Sequence, residues 1–258
     1  HFMGHHAPGL RDIRATAHAM HHVLLAHGQA TQVMRGLGMK NLGAVFNFEY
    51  AQPVDDSAAT AKSAALYDGY YNRFFLGGVF KGEYPENVMA GLGPHMPKGW
   101  QQDFKIIQQP LDWVGLNYYT RKLIGPNDGP WPSHEERPGP LPKTTMGWEI
   151  YPEGLYHFLT WVAKNYTGDL PLFVTENGMS AGTKDTAPHT PDPERIDFLN
   201  KHIAMVRRAL SEGVPVKGYF IWSLMDNFEW ALGYDKRFGL VHVDFDTLER
   251  TKKASYHA

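Results

Sequence analysis

The chain has 258 residues, 43% of them hydrophobic and 20% charged, the composition of a globular protein with a substantial core and room for one domain or two small ones. A formal charge of -2 without a long basic run gives no reason to expect nucleic acid or an anionic membrane as partner. The lack of cysteine excludes disulfides, thiolate metal sites and cysteine nucleophiles, and favours the cytoplasm.

No stretch is apolar for the roughly 20 residues of a membrane span, and the first residues carry no basic-then-apolar signal pattern. Ile13 to Arg35 is free of proline, rich in Ala, Leu, Met and His, and ends at Gly36, which predicts a helix. "NLGAVFNFEY" follows as a strand. Asp55, Asp56 and Ser57 then offer N-caps to a helix running through "AATAKSAALYDGYYNRFF". After a Gly/Pro-rich passage, "LDWVGLNYYT" reads as an apolar strand. "GPNDGPWPSHEERPGPLPKT" reads as a long loop, because its prolines disfavour regular structure.

A helix from about Pro152 to Lys164 leads into "LPLFVTENGM", a continuous apolar strand of the kind buried on both faces. Beyond Pro193 a further helix shows an apolar stripe at Ile196, Leu199, Ile203, Val206 and Leu210, and Gly213 stops it. "VPVKGYFIWSL" is the next buried strand, and "FGLVHVDFD" reads as a short extension or hairpin. Strand then helix, repeated, implies a parallel sheet with helices outside it, as in a barrel or a doubly wound sheet. Only four strong strand-helix units are present, too few to close an eight-stranded barrel.

In a barrel the chemistry collects at the C-terminal strand ends. "FVTENG" puts Glu176 directly after an apolar strand. "GLNYYT" does the same for Asn117, Tyr118 and Tyr119, while "IWSLMDNFEWALGY" places Trp222 at the last strand and Glu229 and Trp230 on the loop beyond. Carboxylate, phenol and indole groups converging on one mouth suit a polyol. Retaining glycoside hydrolysis needs two carboxylates about 5 to 5.5 Å apart, one as nucleophile and one as acid/base. Glu176 is the natural nucleophile, and a tyrosine hydroxyl such as that of Tyr119 would keep it ionised and oriented.

These residues resemble glycoside hydrolase family 1, the β-glucosidase and β-galactosidase family of (β/α)8 TIM barrels. "VTENG" is similar to that family's nucleophile motif, which assigns Glu176, and "GLNYY" to the segment that brings Asn117 and Tyr119 to it. "WSLMDNFEWALGY" resembles the glycone-binding segment, implying sugar contacts from Trp222, Glu229 and Trp230. "KRFGLVHVDF" brings Phe238 to the site, and "MGWEIYPEGL" offers Trp148 as a platform for the leaving group. The resemblance implies β-glucosides or cello-oligosaccharides as substrates, with no metal or organic cofactor.

In the family the acid/base Glu lies in an Asn-Glu-Pro motif at the end of the fourth strand, and no Asn-Glu-Pro occurs here. Residues 1–258 therefore look like the C-terminal half of one catalytic domain, strands five to eight with their helices, and the missing N-terminal half is an expected partner. Glu49 and Glu149 are read as structural carboxylates. The crowded histidines His5, His6, His18, His21, His22 and His27 form one competing pattern, since His18 and His22 stand four apart on a helix, and a carbohydrate-binding module without catalysis, using Trp222, Glu229 and Trp230, is the other.

Overall fold

The computed structural model describes residues 4–181 and 191–258. The first helix, α1 (Ile13–Gly36), begins at Asp12, whose side chain accepts from the Ala15 N–H, and it delivers the chain to strand β1 (Gly43–Pro53). Helix α2 (Ala58–Asp68) is capped by Ser57. It continues through two wider π turns flanking the short α3 (Phe74–Leu76). Helices α4 (Glu86–Leu92) and α5 (Phe104–Ile107) lead into β2 (Trp113–Pro126). The chain then runs through β3 (His134–Arg137), α6 (Pro152–Val162), β4 (Leu172–Asn177), α7 (Pro193–Ser211) and β5 (Val216–Ile221). It ends in a hairpin of β6 (Val241–Val243) and β7 (Arg250–Lys252).

The sheet runs β1-β2-β4-β5 with every neighbour parallel, and β3 adds antiparallel to the outer end of β2. Each parallel step needs a crossover, and the helices supply it from one side. Phe48, Leu116, Tyr118 and Val174 point to that side and share a buried core with Leu155, Phe158 and Val162 of α6 and Val206 and Ala209 of α7. The opposite face is open. Trp113 and Phe173 meet edge-on there at 5.7 Å, while Val45 on β1 is 48% exposed and Phe220 on β5 is 56% exposed. Strands β1 and β5 are the edges of this half of a (β/α)8 barrel.

Three sequence expectations change. The proline-rich passage holds a strand after all, because His134 to Arg137 lie between Pro132 and Pro138 and pair with residues 123–126 of β2. The buried face of α7 is rotated from the apolar stripe: Ile203 and Leu210 are exposed, and Arg195, Phe198, Leu199, His202, Val206 and Ala209 are buried. His202 Nδ1 lies 2.8 Å from the Phe198 carbonyl, to which it donates, and burial pulls its pKa down to about 4, so a neutral imidazole serves as core. Third, β5 is an edge strand with Lys217 and Phe220 exposed, not a strand buried on both faces.

Candidate active site

The middle of β2 and the C-terminal ends of β4 and β5 meet at one mouth. Asn117 pairs in register with Glu176, and Asn177 with Ile221. Side chains lock this register. Asn177 donates to the Tyr118 carbonyl at 2.7 Å and accepts from the Tyr219 hydroxyl at 2.6 Å, so one buried amide ties β4 to both neighbours. The Thr175 hydroxyl donates to the Asn117 side-chain carbonyl at 2.6 Å. Gly178 completes the turn, because a Cβ there would stand 1.8 Å from the Trp222 carbonyl oxygen.

Glu176 emerges from this frame partly accessible and accepts a hydrogen bond from the Tyr119 hydroxyl at 2.6 Å. Burial, that bond and the charges of Glu176 and Glu229 all raise the Tyr119 pKa, so its hydroxyl stays protonated and remains a donor. Trp148 and Phe238 stand behind it: ring centroids are 5.4 Å from Tyr119 to Trp148, 6.2 Å from Tyr119 to Phe238 and 6.3 Å from Trp148 to Phe238. Phe238 is buried and Trp148 half-buried.

The loop after β5 approaches the same carboxylate. Glu229 is raised in pKa by burial and by the charge of Glu176, while a hydrogen bond from the Trp222 side chain opposes the rise. Glu176, Tyr119, Trp222 and Glu229 thus form one electrostatic group, with Trp148 and Phe238 against Tyr119 and Asn117 paired beside Glu176 on the next strand. Trp230 stands apart, 72% exposed, its ring 6.4 Å from that of His6. The structure brings seven of the eight sequence-selected residues to this mouth and leaves Trp230 on its rim.

Sequence reading missed the support beneath the loop. Asp226, within "WSLMDNFEW", is fully buried and holds two cations, Arg237 at 2.9 Å and Lys253 at 3.1 Å, and accepts from the Gly239 N–H at 2.9 Å. Arg195 of α7, also buried, pairs with Asp192 and donates to the Arg237 carbonyl at 3.1 Å. The signal was an aspartate between two site residues, but its partners lie 11 and 27 positions downstream.

The remaining carboxylates are committed elsewhere. Glu149 is buried, paired with Arg121 at 2.7 Å and accepting from the Leu141 N–H at 2.7 Å. Glu49 accepts from the Tyr67 hydroxyl of α2. Of the early histidines, buried His21 is shared between Tyr84 and Asp103, and among the described residues no three His, Cys, Asp or Glu side chains are grouped as metal ligands. No helix among the described residues is long and apolar enough to cross a membrane.

A parallel strand-and-helix half barrel with a tyrosine-held carboxylate at a strand end defines the class. Residues 1–257 match Glycosyl hydrolase family 1, and the chain belongs to that family. It is 41% identical over 265 residues to a 1,4-beta-D-glucan glucohydrolase of Thermotoga neapolitana, covering 99% of this chain and 58% of that relative. A beta-glucosidase of an Agrobacterium species is also 41% identical, with 99% and 56% covered. Among solved structures, a family 1 β-glucosidase from Thermotoga maritima superposes with a TM-score of 0.92 at 39% identity, over 99% of this chain and 58% of that one. The chain thus spans less than three fifths of the length of these relatives.

Proposed function

We infer that the protein carrying this sequence is a retaining β-glycosidase, with terminal β-D-glucosyl residues of β-glucosides or cello-oligosaccharides as substrates. The observation that carries this reading is Glu176 at the end of β4 with the Tyr119 hydroxyl 2.6 Å from its Oε2. Residues 1–258 form the C-terminal half of a single catalytic domain, whose partner is the N-terminal half of the barrel. The names of the relatives support the substrate class, and a cytoplasmic location rests on the cysteine-free composition.

In the reaction, a carboxylate oxygen of Glu176 attacks the anomeric carbon. The glycosidic C–O bond breaks as the new C–O bond forms, and an acid/base carboxyl from the other half protonates the leaving oxygen. Water then attacks the same carbon, giving its proton to that carboxylate and releasing Glu176. Tyr119 and Asn117 hold the nucleophile. Trp222, Glu229 and Trp230 meet the sugar hydroxyls and Phe238 closes the wall, while Trp148 faces the leaving group. No metal or organic cofactor enters.

For the 258-residue chain by itself a second reading, sugar binding without turnover, is favoured by the engagement of Glu49 and Glu149 with Tyr67 and Arg121. The test is Glu176→Ala in the protein with its barrel complete. Turnover of an aryl β-glucoside should fall by several orders of magnitude with folding intact, and near-normal turnover would sink the assignment.

A further inference from the structure

Strand β2 does not stop at the mouth. It runs on from Tyr119 to Pro126, and at about 3.3 Å per residue Lys122 stands roughly 10 Å further out along it. There β3 pairs with it, Leu123 opposite Arg137, and the chain returns towards the mouth through Pro138 and Lys143. Lys143 bridges to Glu149 across a tight turn, closed by the Gly147 N–H on the Thr144 carbonyl at 2.9 Å. The Lys236 ammonium holds the same turn by donating to the Thr145 carbonyl at 2.8 Å. Trp148 leaves this turn with its ring 5.4 Å from that of Tyr119.

Between the outer part of β2, the end of β3 and this turn lies a cleft of about 40 Å³, with Trp148 as one wall. That is room for roughly two or three water-sized groups. Its charged lining consists of four cations, Arg121, Lys122, Arg137 and Lys143, against two carboxylates, Glu136 and Glu149. Both carboxylates are engaged, Glu149 by buried Arg121 at 2.7 Å and Glu136 by Lys122 at 2.8 Å. Arg137 pairs with Glu135, which lies outside the lining, in an exposed contact that contributes little. Lys143 is exposed and has no ion pair among the described residues. The cleft beside Trp148 is therefore positive in balance.

We propose that this cleft receives a carboxylate borne by the leaving group, so that aryl β-glucosides with an acidic aglycone are the preferred substrates. The inference rests on the retaining β-glycosidase reading above, in which Trp148 faces the leaving group, and adds the charge of the aglycone to it. An aromatic ring lying on Trp148 carries a para substituent outward along β2, to where Arg137 on β3 and Lys143 before the turn stand on two walls of the cleft.

The chemistry of the lining supports this occupant. A cleft lined in excess by one sign of charge concentrates its field, and a guanidinium and an ammonium bind a carboxylate through charge-assisted hydrogen bonds. The reducing-end sugar of an oligosaccharide offers the same cations only neutral hydroxyls, which they hold less strongly. The turn that carries Lys143 and Trp148 is fixed by its own hydrogen bonds and by Lys236, so the charge and the aromatic platform are presented together.

The test compares kcat/KM for 4-(carboxymethyl)phenyl β-D-glucoside and its primary amide in the protein with its barrel complete. The methylene insulates the phenolate from the charge, so the two leaving groups are nearly matched. The parent should prefer the acid by about tenfold, through KM rather than kcat. Lys143→Gln should reduce that preference to about threefold or less with turnover of the amide unchanged, and Lys143→Arg should retain it. Arg137→Gln should act in the same direction as Lys143→Gln and is read in its place if that variant does not fold. Equal kcat/KM for acid and amide in the parent, or the full preference kept in the folded Lys143→Gln or Arg137→Gln variant, would overturn the proposal while turnover of the amide upholds the β-glycosidase reading. A parent that hydrolyses neither glucoside would overturn that reading and this inference with it.

Discussion

The centre of the mouth and its rim are built differently. Glu176 stands on β4, flanked by a paired strand on either side, and its neighbours are fixed by Asn177 reaching both ways and by Thr175 reaching Asn117. Trp222, Glu229 and Trp230 follow β5, the edge strand, and only one side of their loop has a sheet behind it. The loop is instead held from below, by buried Asp226 and its two cations, Arg237 and the buried Lys253. A central strand passes its order to the side chains it carries, whereas an edge must import order from ionic contacts made by distant parts of the chain.

The largest effect should come from removing that import. Asp226→Ala leaves Arg237 and Lys253 without the carboxylate they share in a site where Lys253 is 1% exposed, and breaking a buried pair from one side costs about 3–5 kcal/mol. The urea midpoint should fall accordingly, and a midpoint within error of the parent would show that the rim is ordered by something else. At the centre, Tyr119→Phe removes one charge-assisted hydrogen bond of about 2 kcal/mol. In the protein with its barrel complete, that predicts a roughly thirtyfold loss in kcat/KM with folding preserved.

The same division explains what the sequence made legible. Glu176, Asn117 and Tyr119 could be read because each stands at or just past the end of an apolar run within its strand, so local order already states where the side chain stands. Asp226 could not, because its role depends on Arg237 and Lys253 meeting it in space. His202 and Arg195 were hidden in α7 for a related reason: a hydropathy stripe selects Ile203 and Leu210, while the packed face takes a neutral imidazole and a paired guanidinium. The strand at His134–Arg137 was masked by its flanking prolines, which bound it without interrupting it.

A smaller, pH-dependent effect separates the helix-facing side of the sheet from the mouth. Burial raises the pKa of Glu49, opposed by Lys122 and by hydrogen bonds from Tyr67 and Tyr71, with Glu136 adding to the rise. The folded state therefore holds this proton more tightly than the unfolded one, whose value is near 4.5. The stabilising contribution is fully present below that pH and is lost as pH rises through the higher folded value. Relative to Glu49→Gln, the parent chain should lose stability from pH 4.5 upward, as read from urea midpoints at a series of pH values. Parallel profiles for the two proteins would mean that the carboxylate is not desolvated.

The smallest effect on folding should be at the rim itself, and it sharpens the contrast between two indoles assigned to one substrate. Trp148 is half-buried against Tyr119 and Phe238, so Trp148→Ala removes aromatic contacts and should cost more than about 1 kcal/mol. Trp230 is 72% exposed and touches only the ring of His6 among the described aromatic contacts, so Trp230→Ala should change stability by no more than about 0.5 kcal/mol. In the proposed function, the role of this exposed indole is contact with the sugar. In the completed barrel the Trp230 variant should weaken sugar binding while its urea midpoint stays put, and a fall in midpoint equal to that of Trp148→Ala would place Trp230 in the fold instead.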